Sequence, residues 1–286
     1  MRLAHQERPA HGDRTRAAIV LDQAQRAMFD IQPRNAGQHR RPIGEVIAAV
    51  RDRMDQRIRD REAGGSDLTG VPSGYQQLDA MTGGWQPGDL IVLAARTGDG
   101  KTAFAVNLLC RAAHKQIPGA FFSLEMPAEQ IGIRMVSMVA RIDGIRIRDG
   151  KLAHRLDTDE PGEVVRAMST VAEWPVHIDD TPALSTIDLR RDARRMVRDY
   201  QIGIIFVDYL QLMTAGIRTE RRVQEVTEIT RALKALAREL NIPVIACAQL
   251  NRAVEERTDG PRLSDLRESG SIEQDADMVL FLHRQA

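Results

Sequence analysis

Neither sign of charge prevails in this sequence: forty basic residues stand against forty acidic ones in 286. The balance removes any global electrostatic signature of a DNA-binding protein, while leaving room for a local basic channel. Aromatic residues are scarce, at 4%, which argues against holding single strands by stacking many bases on aromatic rings. Any nucleic-acid contact must then come mainly from charge and backbone amides. There are only two cysteines, Cys110 and Cys247, far apart in apolar runs and without metal-type spacing. They read as buried thiols of a reducing compartment. No apolar run approaches the ~20 residues of a membrane span, and the charged first sixteen residues carry no signal-peptide stretch. The expectation is a soluble cytoplasmic protein, and the 43% hydrophobic content suffices for a substantial core.

Residues 1–42 are polar, with one short helical stretch around Ala17–Phe29, and read as a tail or the remnant of something larger. From Ile43 the apolar residues Ile43, Ile47, Val50, Met54 and Ile58 recur every three or four positions, the period of an amphipathic helix over 43–63. Ala63-Gly-Gly-Ser66 breaks it. Such a helix needs a surface to cover, either on its own domain or on a neighbouring subunit. Beyond it, strand-like runs alternate with helical periods over residues 64–286. The strands are expected at Leu90–Ala94, Ala120–Ser123, Val176–Ile178, Ile204–Val207, Val244–Ala248 and Met278–Leu282. The helices are expected near Thr102–His114, Ala128–Val139, Glu163–Trp174, Thr186–Tyr200 and Val223–Leu240. The pattern predicts one α/β domain with a mostly parallel sheet flanked by helices.

Chemistry concentrates at the strand ends. The first strand runs into Ala95-Arg-Thr-Gly-Asp-Gly-Lys-Thr102 and a helix follows. That is the context of a phosphate-binding P-loop, with alanine where the motif has its first glycine. Arg96, Thr97, Gly98, Asp99 and Gly100 would wrap the phosphates with backbone amides at a helix N-terminus. Lys101 would reach the β and γ phosphates, and the Thr102 hydroxyl would hold Mg²⁺. Asp99 fits only if it points to solvent. Asp208 ends an apolar strand, as a second Mg²⁺ ligand should. Glu125, after Phe121-Phe-Ser-Leu, could orient or deprotonate an attacking water. An acid after a strand is also often just a helix cap or a solvated loop residue. Gln249, at the end of another strand, would either sense the γ phosphate or make ordinary loop hydrogen bonds.

Together these blocks resemble the motor domain of the replicative DNA helicase family of the DnaB type, a RecA-like P-loop NTPase. The resemblance rests on Thr69–Leu78 with Gly83–Leu90, the P-loop, Ser123-Leu-Glu-Met-Pro127, Val207-Asp-Tyr-Leu-Gln-Leu212, Ala248-Gln-Leu-Asn-Arg252 and the long block Ser264–Asp277. It covers roughly residues 44–284. It implies ATP and Mg²⁺ as cofactors, with Lys101, Glu125, Asp208 and Gln249 in catalytic roles. It implies a homo-hexameric ring moving 5′ to 3′ on single-stranded DNA, with a helicase loader among its partners. The loop holding Arg267, Glu268, Ser269 and Gly270 would face the channel, where backbone amides and the arginine hold phosphates without reading sequence; on its own, Arg267 reads as a surface salt bridge. Arg218, Arg221 and Arg222 would serve a second channel loop or simply start a solvated helix. The helix over 43–63 would be the linker that docks on the next subunit.

Two family pieces are absent from this sequence. Only the last helix of an N-terminal collar domain could fit within residues 1–42, which leaves primase contact through that domain without its usual carrier. The β-hairpin carrying arginine fingers would lie beyond Ala286. A finger is worth ~10³–10⁵ in rate, so weak hydrolysis by the 286-residue chain alone is expected. The alternatives are a RecA-like ATPase that does not unwind DNA and a non-catalytic adaptor of a helicase ring.

Overall fold

The computed structural model describes residues 41–64, 68–155, 158–215, 222–250, 260–266 and 272–283. The stretch Ala17–Phe29, the loop residues Arg218 and Arg221, and Arg267, Glu268, Ser269 and Gly270 lie outside the described residues. The chain divides into two units, Met1–Ser66 and Asp67–Ala286.

In the first unit, helix α1 spans Ile43–Glu62. Glu45 lies in its first turn and Arg59 and Arg61 in its last, each complementing the helix dipole. Its apolar stripe of Ile43, Ile47, Val50, Met54 and Ile58 is exposed.

The second unit runs α2 (Gln76–Thr82), β1 (Leu90–Ala95), α3 (Lys101–His114), β2 (Gly119–Ser123), α4 (Ala128–Ala140), α5 (Gly144–Arg148), β3 (His154–Arg155) and β4 (Thr158–Asp159). It continues with α6 (Glu160–Ala172), β5 (Val176–Asp179), α7 (Thr186–Tyr200), β6 (Ile204–Asp208), α8 (Arg222–Leu240), β7 (Val244–Gln249), α9 (Ile272–Asp275) and β8 (Met278–Leu282). All six expected strands and all five expected helices are present. The widest boundary difference is at α6, which starts three residues early. There Asp159 caps the helix by accepting from the Gly162 N–H at 3.1 Å, and Pro161 sits in the first turn, where no N–H is needed. Helix α7 starts the same way, the Ser185 hydroxyl accepting from the Asp188 N–H at 3.1 Å. The short pieces α2, α5 and the β3–β4 hairpin are not expected from the sequence, being too brief to carry a period.

The six long strands form one sheet in the order β5-β2-β6-β7-β1-β8, and every ladder in it is parallel. Parallel sheets must be covered on both faces, so their strands are apolar throughout. In β1, Leu90, Val92 and Ala94 face a core completed by Leu189 and Ala193 of α7 and Val226, Ile229 and Leu233 of α8. Ile91 and Leu93 face the other core, with Trp85 and with Ala105, Val106, Leu108 and Leu109 of α3. The alternation repeats in β6 and β7.

Asp79 of α2 has no signal in the sequence, yet it is buried. Its carboxylate accepts from the N–H groups of Ser73 at 2.7 Å and Gly74 at 3.1 Å, pinning the segment that leads into β1. Asp79→Ala would leave both donors without a partner, at a cost of about 1–3 kcal/mol; a urea melt should show the midpoint shift.

Both cysteines are buried and free. Burial pushes the Cys110 thiol up to about 12. Cys247 is also raised, by burial first and then by the neighbouring Asp208 carboxylate. A raised pKa keeps a thiol protonated and unreactive at neutral pH. Neither should label with a thiol-reactive dye until the protein is denatured.

Candidate functional site

Because the sheet is parallel, β1, β2, β6 and β7 all end on one edge, and the segments following them converge on a cavity of about 520 Å³. Its lining includes Arg96, Thr97, Gly98, Gly100, Lys101 and Thr102 from the first segment, Glu125 after β2, and Gln249 at the end of β7. Arg134, Tyr209 and Met126 line it as well; none of these three is expected from the sequence.

The loop between β1 and α3 shows why the motif tolerates its alanine. Ala95 is the last residue of β1, fully buried, and paired with Gln249. A position in extended backbone is open to any residue, so glycine is not required there. Gly98 and Gly100 do need to be glycine, with φ of +89° and +92°, a region that side chains rarely enter. They turn the chain so that α3 starts at Lys101 with its N-terminus toward the cavity. Asp99 is half-buried and is not among the residues lining the cavity.

Asp208 ends β6 and is buried, at 1% exposure. The Thr102 hydroxyl donates to its Oδ2 at 2.7 Å. No nitrogen or oxygen donor among the described residues reaches the buried Oδ1; the thiol of Cys247, a weak donor, is its neighbour. A buried carboxylate oxygen lacking a strong partner is costly, and a hard cation would relieve that cost. Carboxylate plus hydroxyl is the donor set Mg²⁺ takes when phosphate oxygens and waters supply the rest. Among the described residues no group of three or more His, Cys, Asp or Glu could hold a metal.

Lys101 Nζ lies 4.0 Å from the centroid of the Tyr209 ring, attracted by the negative ring face. The Tyr209 hydroxyl is raised above its usual pKa by burial first, then by the negative charges of Glu125 and Asp208. Glu125 itself is exposed to the cavity. The turn that carries it is closed by Ser123, whose hydroxyl donates to the Met126 carbonyl at 2.6 Å and accepts from the Met126 N–H at 3.3 Å. The Leu124 N–H donates to the Asp208 carbonyl at 2.8 Å. Asp180 anchors the far side by accepting from Ala128 N–H at 2.9 Å. This closing role of Ser123 has no signal in the sequence, because a serine before an apolar residue carries no period of its own.

Gln249 makes a specific contact, its Nε2 donating to the Thr97 hydroxyl of the loop at 2.8 Å. That contact is a loop hydrogen bond, and it holds the amide beside the cavity that Thr97 and Gln249 both line. Lysine, hydroxyl, two carboxylates and an amide around a glycine-shaped helix N-terminus can bind a polyphosphate with its cation and bring water to it.

Residues 70–286 match the family model of the DnaB-like helicase C-terminal domain. The replicative DNA helicase DnaB of Geobacillus stearothermophilus is 42% identical over 269 residues, covering 93% of the chain and 58% of that protein. Among solved structures, a separately determined ATPase domain superposes with a TM-score of 0.76 at 32% identity, covering 85% of the chain and 84% of that domain. A DnaB-like replicative helicase, described with its interactions with primase, gives 0.75 at 30% identity, covering 95% and 66%. The chain thus spans less than three-fifths of the length of this curated relative, and no helix among its described residues is long and apolar enough to cross a membrane. Its parallel sheet is that of RecA-like ATPase domains, and the chain belongs to the DnaB-like helicase C-terminal domain family.

Proposed function

We propose that this chain is the motor of a cytoplasmic replicative DNA helicase, coupling ATP hydrolysis to 5′-to-3′ movement on single-stranded DNA. The observation that carries the reading is the convergence of Lys101, Thr102, Glu125 and Gln249 on one cavity at the sheet edge, with the buried Asp208 bonded to Thr102, in a chain of this family.

In this reading the backbone from Ala95 to Thr102 cradles the phosphates and Lys101 neutralises their β and γ oxygens. Thr102 and Asp208 hold Mg²⁺, which when bound withdraws charge from the phosphate oxygens. Glu125 orients the attacking water and accepts its proton at the carboxylate. Gln249, tied to Thr97, reports whether a γ phosphate is present. The loop Arg267, Glu268, Ser269 and Gly270 holds DNA phosphates through its backbone amides and the arginine, and the exposed stripe of α1 docks on the next subunit of a homo-hexamer. A helicase loader would act on such a ring; primase contact is not assigned to these residues.

A forked duplex with a 5′ single-stranded tail, incubated with the chain, ATP and Mg²⁺, tests this. Strand displacement that Lys101→Ala abolishes while circular dichroism stays unchanged supports the motor. An inert chain that enters mixed rings with a full-length helicase identifies an adaptor instead.

A further inference from the structure

We infer that Gln211 is a positioning residue that holds Gln249 against the phosphate loop and carries nucleotide occupancy to the segments 212–215 and 260–266. The inference rests on the motor reading for what occupies the cavity, but its geometry is independent of it.

The ladder between β6 and β7 stops at the pair Val207–Ala246. On its other side β7 stays paired with β1 as far as Gln249, opposite Ala95. The backbone of Gln249 would therefore lack a strand partner on the β6 side. The carboxamide of Gln211 takes that place, its Nε2 donating to the Gln249 carbonyl at 3.4 Å and its Oε1 accepting from the Gln249 N–H at 3.3 Å. A carboxamide has the donor and acceptor of a peptide group, so it can continue a ladder where the strand has ended.

The clamp fixes the backbone from which the Gln249 side chain reaches Thr97 at 2.8 Å. It also joins two stems. Gln211 sits on the short 3₁₀ turn Leu210–Leu212 that follows Asp208. From there the chain reaches Thr214 and Ala215, which are tied to the start of α7: the Thr186 N–H donates to the Thr214 carbonyl at 3.1 Å, and the Thr186 hydroxyl to the Ala215 carbonyl at 3.1 Å. On the other side, Leu250 donates its N–H to the Ala95 carbonyl at 3.0 Å and forms a bridge with Leu266. A shift of Gln249 toward or away from Thr97 thus pulls on the 212–215 stem through the Gln211 side chain, and on Leu266 through Leu250, the next residue of the backbone that the clamp fixes.

The test uses the full chain and two variants, Gln211→Ala and the near-isosteric Gln211→Glu. Glutamate keeps the volume and the acceptor but sets an oxygen against the Gln249 carbonyl. A fluorescent ATP analogue measures binding, and hydrogen exchange is followed in 210–215 and 260–266 with and without Mg²⁺ and a non-hydrolysable ATP analogue. In the unmodified chain, the nucleotide should change exchange in both segments. Both variants should bind nucleotide within about threefold of it, yet the exchange response should vanish in both segments. A response that survives in Gln211→Glu reduces the residue to packing and overturns the inference. So does an unmodified chain that binds nucleotide without any response in those segments, or a variant that loses nucleotide binding outright. An unmodified chain that binds no nucleotide removes the motor reading, and the relay with it.

Discussion

Glu125→Gln is expected to bind Mg·ATP within about threefold of the unmodified chain and to hydrolyse it ~10²–10⁴-fold more slowly, the range that a positioned general base supplies. The substitution keeps shape and polarity but replaces a proton acceptor with an amide. The fold should not respond, because Glu125 is exposed and its turn is held by Ser123, Asp180 and the Asp208 carbonyl rather than by its own side chain. Phosphate release at saturating nucleotide, set beside a titration with a fluorescent analogue, separates the two effects. Unchanged turnover would remove Glu125 from the mechanism.

Lys101→Ala should act on binding instead. Truncating one partner of a close charge pair costs about 2–5 kcal/mol, so nucleotide affinity should fall ~30-fold or more, and turnover with it. Lys101 is only half-buried, and its amine rests on the Tyr209 ring. Thermal unfolding without nucleotide should stay within a few degrees of the unmodified chain. Tight nucleotide binding by this variant would mean that the phosphates sit elsewhere.

The parts legible in the sequence are those governed by local patterns. The six strands are apolar runs bounded by Gly, Pro and acids, and a parallel sheet buried on both faces needs such runs. The P-loop is readable because Gly98, Gly100 and Lys101 must occur in that order. Asp208 and Glu125 are readable because a parallel sheet delivers its strand ends to one edge. What is not legible depends on contacts between segments far apart in the chain. Gln211 is 38 residues from the backbone it clamps. Asp180 is 52 residues from the N–H it accepts. Tyr209 and Arg134 line the cavity only because α3, α4 and the end of β6 meet there. The alanine at position 95 looks like a defect in the motif; its strand geometry makes it ordinary.

If the cavity at the end of β1 is a nucleotide site coupled to single-stranded DNA, nucleotide must change how the chain holds a single strand. The direct measurement is fluorescence anisotropy of a labelled single strand titrated with the chain, with and without Mg²⁺ and a non-hydrolysable ATP analogue. Binding is expected to be at least about tenfold tighter with nucleotide, independent of base sequence and weakened by salt. DNA affinity that is the same with and without nucleotide, in a chain shown to bind the analogue, would contradict it.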